Sequence, residues 1–382
     1  MLLLTPGPVS TRPGVKAAMT RDIAPWDADF APLFRGVADY ALAVAGVDRS
    51  THACLPLQGA GHFAIEAMLR AFLGRAGQPG AGKLLMALTG AYGVRMARLA
   101  REMGCAVTTL PVSDTAPVPP AAIAAALAAD PTLTHVGLVY SETSTGIVHD
   151  ARAIGQVVRA AGRTMLLDAV SAYGALPLDL AAMPEVAATV FTANKCFEGM
   201  PGIAFVVART NALEATLPAG SWSLDLGDIW RMQRTRSDGF FRFTPPAQVM
   251  AAMAAAQADH AAEGGAAARL ARYGANRDAL MGGLEAIGLS PYLSRAAQGP
   301  IVVNVQAPGD DAWDLHRFVV GLKARDFLIS NFHDTVEPSF RVGCIGAIEP
   351  DDMRRFTEAV DATLGAMDIR DRSPARLPAR AA

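Results

Sequence analysis

Two apolar runs of strand length each end in a residue able to do chemistry. Leu166-Leu167 leads into Asp168, and Val190-Phe191-Thr192-Ala193-Asn194 leads into Lys195, 27 positions later. A lysine amine can form a Schiff base with an aldehyde. A carboxylate facing a pyridine nitrogen keeps that nitrogen protonated, so the ring can accept electrons from a carbanion. The pairing therefore suits pyridoxal phosphate. Taken alone, Asp168 would read more simply as a turn cap and Lys195 as a solvated loop charge. The rest of the chain favours the chemical reading.

Gln58-Gly59-Ala60-Gly61-His62 is a glycine turn ahead of a helical pattern. Glycines let the backbone approach an anion, and the free N–H groups at a helix start favour a phosphate. The same run fits a dinucleotide fingerprint, which requires an acid about 20 residues further on for the ribose. No Asp or Glu occurs between Glu66 and Glu102, which argues against a nicotinamide cofactor. Tyr92, in Gly90-Ala91-Tyr92-Gly93, follows a strand pattern. It could stack on a flat ring or simply fill the core. Ser141-Glu142-Thr143-Ser144-Thr145-Gly146 gathers hydroxyls and a carboxylate after another strand, where open α/β sheets place ligands.

These residues need a scaffold, and the hydrophobic pattern supplies one. Strand candidates are 84–88, 107–110, 136–140, 164–167, 189–192 and 203–208. Helical patterns at 61–73, 92–103, 120–129 and 151–161 lie between several of them. Such alternation predicts an α/β fold, a mostly parallel sheet covered by helices. Beyond Pro246 the pattern changes to two alanine-rich helices, 247–263 and 266–287, broken by Gly264-Gly265. Strands near 301–305, 327–329 and 340–342 follow, with helices near 313–324 and 350–364. We therefore expect a large cofactor-binding domain over 15–260, a smaller α+β domain from 1–14 with 261–367, and a disordered tail over 368–382.

Composition sets ordinary bounds. The 382 residues are 51% hydrophobic and 18% charged, with a formal net charge of −2. This is a globular composition, with nothing to suggest a nucleic-acid partner. Cys54, Cys105, Cys196 and Cys344 are scattered, so neither a zinc ribbon nor a disulfide framework is indicated. No metal is expected. Reduced thiols fit a cytoplasmic location. The opening Met1-Leu2-Leu3-Leu4-Thr5-Pro6 has no basic n-region, and no run is long enough for a membrane span.

In order and spacing, the chain resembles the class V, fold-type I aminotransferases that use pyridoxal phosphate. The resemblance runs from Leu4-Thr5-Pro6-Gly7-Pro8 and Trp26-Asp27 through Gln58-Gly59-Ala60-Gly61, Gly90-Ala91-Tyr92-Gly93 and Ser141-Glu142-Thr143. It continues through Asp168-Ala169-Val170-Ser171, Ala193-Asn194-Lys195-Cys196, Pro201-Gly202, Ser223-Leu224-Asp225-Leu226, Arg242-Phe243-Thr244 and Phe340-Arg341-Val342-Gly343. It implies that Lys195 carries the cofactor and shuttles a proton, that Asp168 pairs with the ring nitrogen, and that Tyr92 stacks on the ring. It places the phosphate on the backbone at Ala60, Gly61 and His62 with Ser171, and Thr143 near the ring hydroxyl. Thr244 would complete the neighbouring subunit's phosphate site, which implies a homodimer. Arg341 would bind a keto acid carboxylate, a task suited to its planar fork.

The implied amino donor is 2-aminoethylphosphonate or a close analogue, with pyruvate as acceptor. Ser10, Thr11 and Arg12 are candidates for the phosphonate end. The chain departs from the phosphonate-using pattern at Gly59-Ala60-Gly61-His62, at Phe243-Thr244-Pro245-Pro246 and at Ser330-Asn331-Phe332-His333, where a Tyr-Pro-Gly-Lys run is usual. A different donor, as in alanine– or serine–glyoxylate aminotransferases, is the nearest alternative. A lyase or desulfurase would need a mobile nucleophilic cysteine, and a non-catalytic cofactor-binding protein is a further alternative.

Overall fold

A computed structural model of the chain describes residues 1–235, 241–332, 335 and 337–374. Its centre is a seven-stranded sheet. The strands are β2 (His52–Gln58), β3 (Lys83–Leu88), β4 (Ala106–Pro111), β5 (His135–Val139), β6 (Thr164–Asp168), β7 (Val186–Thr192) and β8 (Ile203–Arg209), the short β1 (Leu2–Leu3) lying elsewhere. Across the sheet they run in the order β2-β8-β7-β6-β5-β3-β4. Pairing is parallel throughout except that β8 runs against both its neighbours. Strands β5, β6 and β7 are apolar almost residue by residue because helices cover both faces.

The helices of this layer are α1 (Pro13–Ala17), α2 (Phe30–Val44), α3 (Gly61–Leu73), α4 (Ala91–Glu102), α5 (Pro120–Ala129), α6 (Ala151–Ala160), α7 (Thr210–Glu214) and α8 (Leu226–Thr235). Local chemistry sets their ends. Pro120 opens α5, where its missing N–H costs nothing. Asp150 caps α6 by accepting from the Ala153 N–H at 2.8 Å, a contact typically worth about 1 kcal/mol. Helix α6 buries Ala151, Ile154 and Val158, one apolar stripe at helical spacing.

Strand β2 and helix α2 are the longest strand and the longest helix not anticipated from sequence. Strand β2 contains Pro56, which cannot donate to a ladder and so reads as a break. It is tolerated because β2 lies at the sheet edge. Helix α2 carries Pro32 in its first turn, where a proline is harmless but masks the pattern.

Helices α9 (Ala247–Glu263) and α10 (Gly265–Ala286) lead into the second core, with Gly264 at φ 111° making the corner between them. That core holds the antiparallel pair β9 (Val302–Gln306) and β11 (Ser339–Gly343), plus α11 (Leu315–Lys323) and α12 (Pro350–Ala366). The N-terminus joins it: β1 pairs in parallel with β10 (Phe327–Leu328), and Leu4 is fully buried there. Residues 368–374 correct the expected tail. Ile369 is buried, the Arg370 N–H donates to Asp310, and Pro374 bridges Pro308. Residues 375–382 lie outside the described residues. Among the described residues, no helix is long and apolar enough to cross a membrane.

Candidate active site

Asp168 ends β6, and the register pairs it with Val190 on β7, the strand that leads to Lys195. Neighbouring strands thus bring together two residues far apart in sequence. The same edge of the sheet receives the Ser141–Thr145 turn after β5, Tyr92 at the start of α4, and His62 at the start of α3. This is the carboxyl end of the parallel strands, where α/β sheets bind ligands. The residues enclose a cavity of about 210 Å³ lined by Gly7, Ala60, Gly61, His62, Tyr92, Arg95, Ser141, Thr143, Asp168, Ser171, Thr192 and Lys195, among others.

Burial tunes the two charged groups in opposite senses. The Lys195 amine is lowered from 10.5 to about 8, chiefly because a buried ammonium loses its hydration. Its Nζ donates to the Pro6 carbonyl at 2.5 Å. Asp168 is raised to about 6, again chiefly by burial, against a 2.9 Å hydrogen bond from the Val170 N–H. Glu142 adds to that rise and Lys195 opposes it.

The cavity fits pyridoxal phosphate on its own evidence. Helix α3 starts at Ala60 with no side-chain cap, leaving N–H groups for an anion beside Ser171. Ser141 Oγ and Thr192 Oγ1 are buried on the cavity wall without a hydrogen-bond partner in the protein. A ring with a basic nitrogen, an aldehyde and a phosphate would meet Asp168, Lys195 and the α3 start respectively.

Arg341 sits on β11 and is buried. Its Nε donates to Ser330 Oγ at 3.2 Å and its Nη1 to the Thr143 carbonyl at 3.3 Å. Its guanidinium also lies 4.5 Å from the centre of the Phe332 ring. Three residues of the departing Ser330–His333 run therefore lie in the described structure, two of them on Arg341, and His333 lies outside the described residues.

Arg341 is not itself on the cavity wall, and several other expected residues are also off it. Ser10 Oγ accepts from the Leu3 N–H at 2.8 Å, and the Ser10 carbonyl accepts from Ala347. Thr11 Oγ1 approaches Met200 Sδ at 3.9 Å. Arg12 serves as the N-cap position of α1, and its Nε is buried without a partner. These three do not line the cavity. Thr244 is exposed and likewise off the wall, beside Phe243 at φ 62°.

The structure adds one residue that sequence did not single out and defines the surroundings of others. Arg95 lines the cavity and places its guanidinium 4.7 Å from the centre of the Tyr92 ring. The Glu142 carboxylate is fully buried and accepts from Thr89 Oγ1, the Gly93 N–H and Ser144 Oγ. It thereby pins the start of α4, which carries Tyr92. Cys196 and Cys344 are fully buried, and burial pushes both thiols up to about 12, unlike a reactive thiolate.

The fold is that of a fold-type I enzyme dependent on pyridoxal phosphate, and its sheet edge brings a carboxylate at the end of β6 and a lysine in the turn after β7 to one cavity. The chain belongs to the class-V aminotransferase family: residues 49–341 match the family described as Aminotransferase class-V. It is 39% identical over 377 residues to the 2-aminoethylphosphonate–pyruvate transaminase of Rhizobium meliloti (strain 1021), covering 98% of this chain and 96% of that protein. It is 40% identical over 370 residues to the protein of the same name from Burkholderia pseudomallei (strain K96243), covering 96% and 98%. Among solved structures, pyridoxamine-pyruvate aminotransferase from Mesorhizobium loti superposes with a TM-score of 0.87 at 23% identity, covering 97% of this chain and 93% of that one. The last comparison speaks for the fold alone.

Proposed function

We propose that this enzyme moves the amino group of 2-aminoethylphosphonate to pyruvate, giving phosphonoacetaldehyde and alanine. The observation that carries this reading is near-full-length similarity at about two residues in five to transaminases of that name. When bound, pyridoxal phosphate supplies an electrophilic carbon and a ring that withdraws electrons. The remaining work falls to the chain. The Lys195 amine, lowered toward neutrality by burial, would hold the cofactor and move the proton at the substrate carbon. Asp168 would keep the ring nitrogen protonated, and Tyr92 would stack on the ring and fix its orientation. The backbone at Ala60, Gly61 and His62, with Ser171, would hold the phosphate, and Thr143 would face the ring hydroxyl. Arg341 orients the carboxylate of the keto acid. Two cations, Arg95 in the cavity and Arg341 beside Thr143, suit a site that must take a phosphonate and a carboxylate in turn.

We also propose a homodimer. Thr244 is exposed beside Phe243, whose φ is 62°, and Trp222 and Phe243 are 70% and 55% exposed. Arg242 lies 4.7 Å from the centre of the Trp222 ring and pairs with Asp228 at 2.6 Å. An apolar, ordered patch of this kind suits a partner surface, and dilution that separates the subunits should release cofactor in step. The four buried free thiols are consistent with a cytoplasmic setting.

The donor assignment is tested by kcat/KM with pyruvate for 2-aminoethylphosphonate, its hydroxylated and methylated analogues, taurine, alanine and serine. The phosphonates should lead. An α-amino acid that outruns every phosphonate would overturn the donor while leaving the aminotransferase.

A further inference from the structure

The turn that carries Lys195 is held from behind by a buried ionic cluster. Glu198, three residues beyond Lys195, has φ 60°, a backbone conformation unusual for a side-chain-bearing residue. Its N–H closes the turn on the Lys195 carbonyl at 2.8 Å. Its carboxylate is 2% exposed in residue terms, and Oε1 receives three contacts. Arg272 Nη2 donates at 2.6 Å, Tyr273 OH donates at 2.7 Å, and Arg269 Nη1 lies at 3.3 Å.

The buried groups of the cluster balance in charge, with the exposed Glu349 carboxylate 4.0 Å from Arg272 Nε beyond them, and the cluster joins two regions. Glu263 takes Arg269 Nε and Arg272 Nε, each at 2.8 Å, so two carboxylates face two guanidiniums. Arg269 Nη1 also donates to the Cys196 carbonyl at 2.6 Å, one residue from Lys195. On its other side, Arg272 Nη1 donates to the Gly346 and Ile348 carbonyls at 2.7 and 2.8 Å. Those carbonyls lie in the loop that follows β11, the strand of Arg341. A single guanidinium thus touches the lysine turn and the segment that continues from the keto-acid arginine. A packing role alone would be met by apolar side chains, which bury at lower cost than charges. Fixed geometry is what bidentate, planar hydrogen bonding adds.

We propose that Glu198, Arg272 and Tyr273 act as positioning residues, clamping the Lys195 turn to the loop after β11 so that the amine stays aligned for proton transfer. The proposal rests on Lys195 being the reacting amine. Misplacement of a reacting group by about 1 Å can cost up to about a hundredfold in rate, so a loosened clamp should appear in the chemical step. Arg341 is held separately, by Ser330 and Thr143, so keto-acid binding should change little.

The test uses the loaded enzyme with Arg272→Lys, which keeps the charge and loses the fork, and Tyr273→Phe, which removes one hydroxyl. Turnover is measured well below each variant's melting temperature, with donor carrying hydrogen or deuterium on the reacting carbon. Hydrogen exchange at the 195–199 amides is followed in the cofactor-free protein. For Arg272→Lys the clamp predicts a fall in kcat of about tenfold or more, a larger isotope effect on kcat, pyruvate KM within about threefold of the unaltered enzyme, and faster exchange in the turn. Tyr273→Phe should move the same readings less, and it decides the matter if Arg272→Lys does not fold. A folded variant with a lower melting temperature but unchanged kcat and isotope effect would make the cluster merely structural. Slower turnover with normal exchange in the turn would equally contradict the clamp. An unaltered enzyme without aminotransferase activity would instead remove the reading beneath it, whatever the exchange data show.

Discussion

Lys195 and Gly7 occupy one space: a Cβ on Gly7 would stand 2.6 Å from Lys195 Cδ and 2.9 Å from Nζ. Gly7 also has φ 133°, which favours glycine. The N-terminal segment therefore forms the lid over the amine, and Pro6 supplies its hydrogen-bond acceptor.

Gly7→Ala should consequently displace the lysine or the lid. We expect kcat/KM to fall by about tenfold or more, since misplaced reacting groups lose rate steeply. Thermal unfolding should move far less, because the segment remains anchored by the β1–β10 pairing and the buried Leu4. Steady-state kinetics beside a melting curve checks both. Normal kinetics would show that the amine does not need this lid.

Arg341→Ala should raise KM for pyruvate and leave the visible cofactor band unchanged. Loss of a buried, hydrogen-bonded charge partner typically costs about 2–5 kcal/mol. Arg341→Lys should recover little, because a point charge cannot replace the planar fork. Unchanged pyruvate kinetics in the alanine variant would move the carboxylate site elsewhere.

The opposed shifts of Asp168 and Lys195 predict a pH signature for the cofactor-free protein. Between 3.8 and about 6, folded Asp168 holds a proton that the unfolded chain has released, so its stability contribution falls as pH rises through that window. Between about 8 and 10.5, the unfolded chain keeps a proton that folded Lys195 has lost, so stability recovers as pH rises. Melting temperatures across pH, compared with Asp168→Asn and Lys195→Met, check each limb. Each variant should flatten only its own limb, and an acid limb that persists in Asp168→Asn would assign it to another group.

That Asp168 and Lys195 share one cavity was legible because strand periodicity and a terminal polar residue are local signals, and adjacent parallel strands then bring the two together. Strand β2 was hidden by Pro56, whose acceptability depends on an edge position that only the assembled sheet defines. Arg95 was invisible for a similar reason. It shares α4 with Arg98 and Arg101, and nothing local tells which arginine faces the cavity. The hydrogen bonds of Ser10 were not legible because its partners, Leu3 and Ala347, lie at opposite ends of the chain and meet only through the N-terminal strand. The Glu198 cluster depends in the same way on α10 crossing behind the lysine turn.

The most direct test of the account is chemical reduction of the cofactor-loaded enzyme with borohydride, followed by peptide mass mapping. The account predicts a yellow protein that loses its visible band on reduction and carries the cofactor's mass on Lys195. It also predicts that Lys195→Ala binds cofactor without turning over. A colourless protein that gains no band with added pyridoxal phosphate, or a reduced adduct on another lysine, would contradict it.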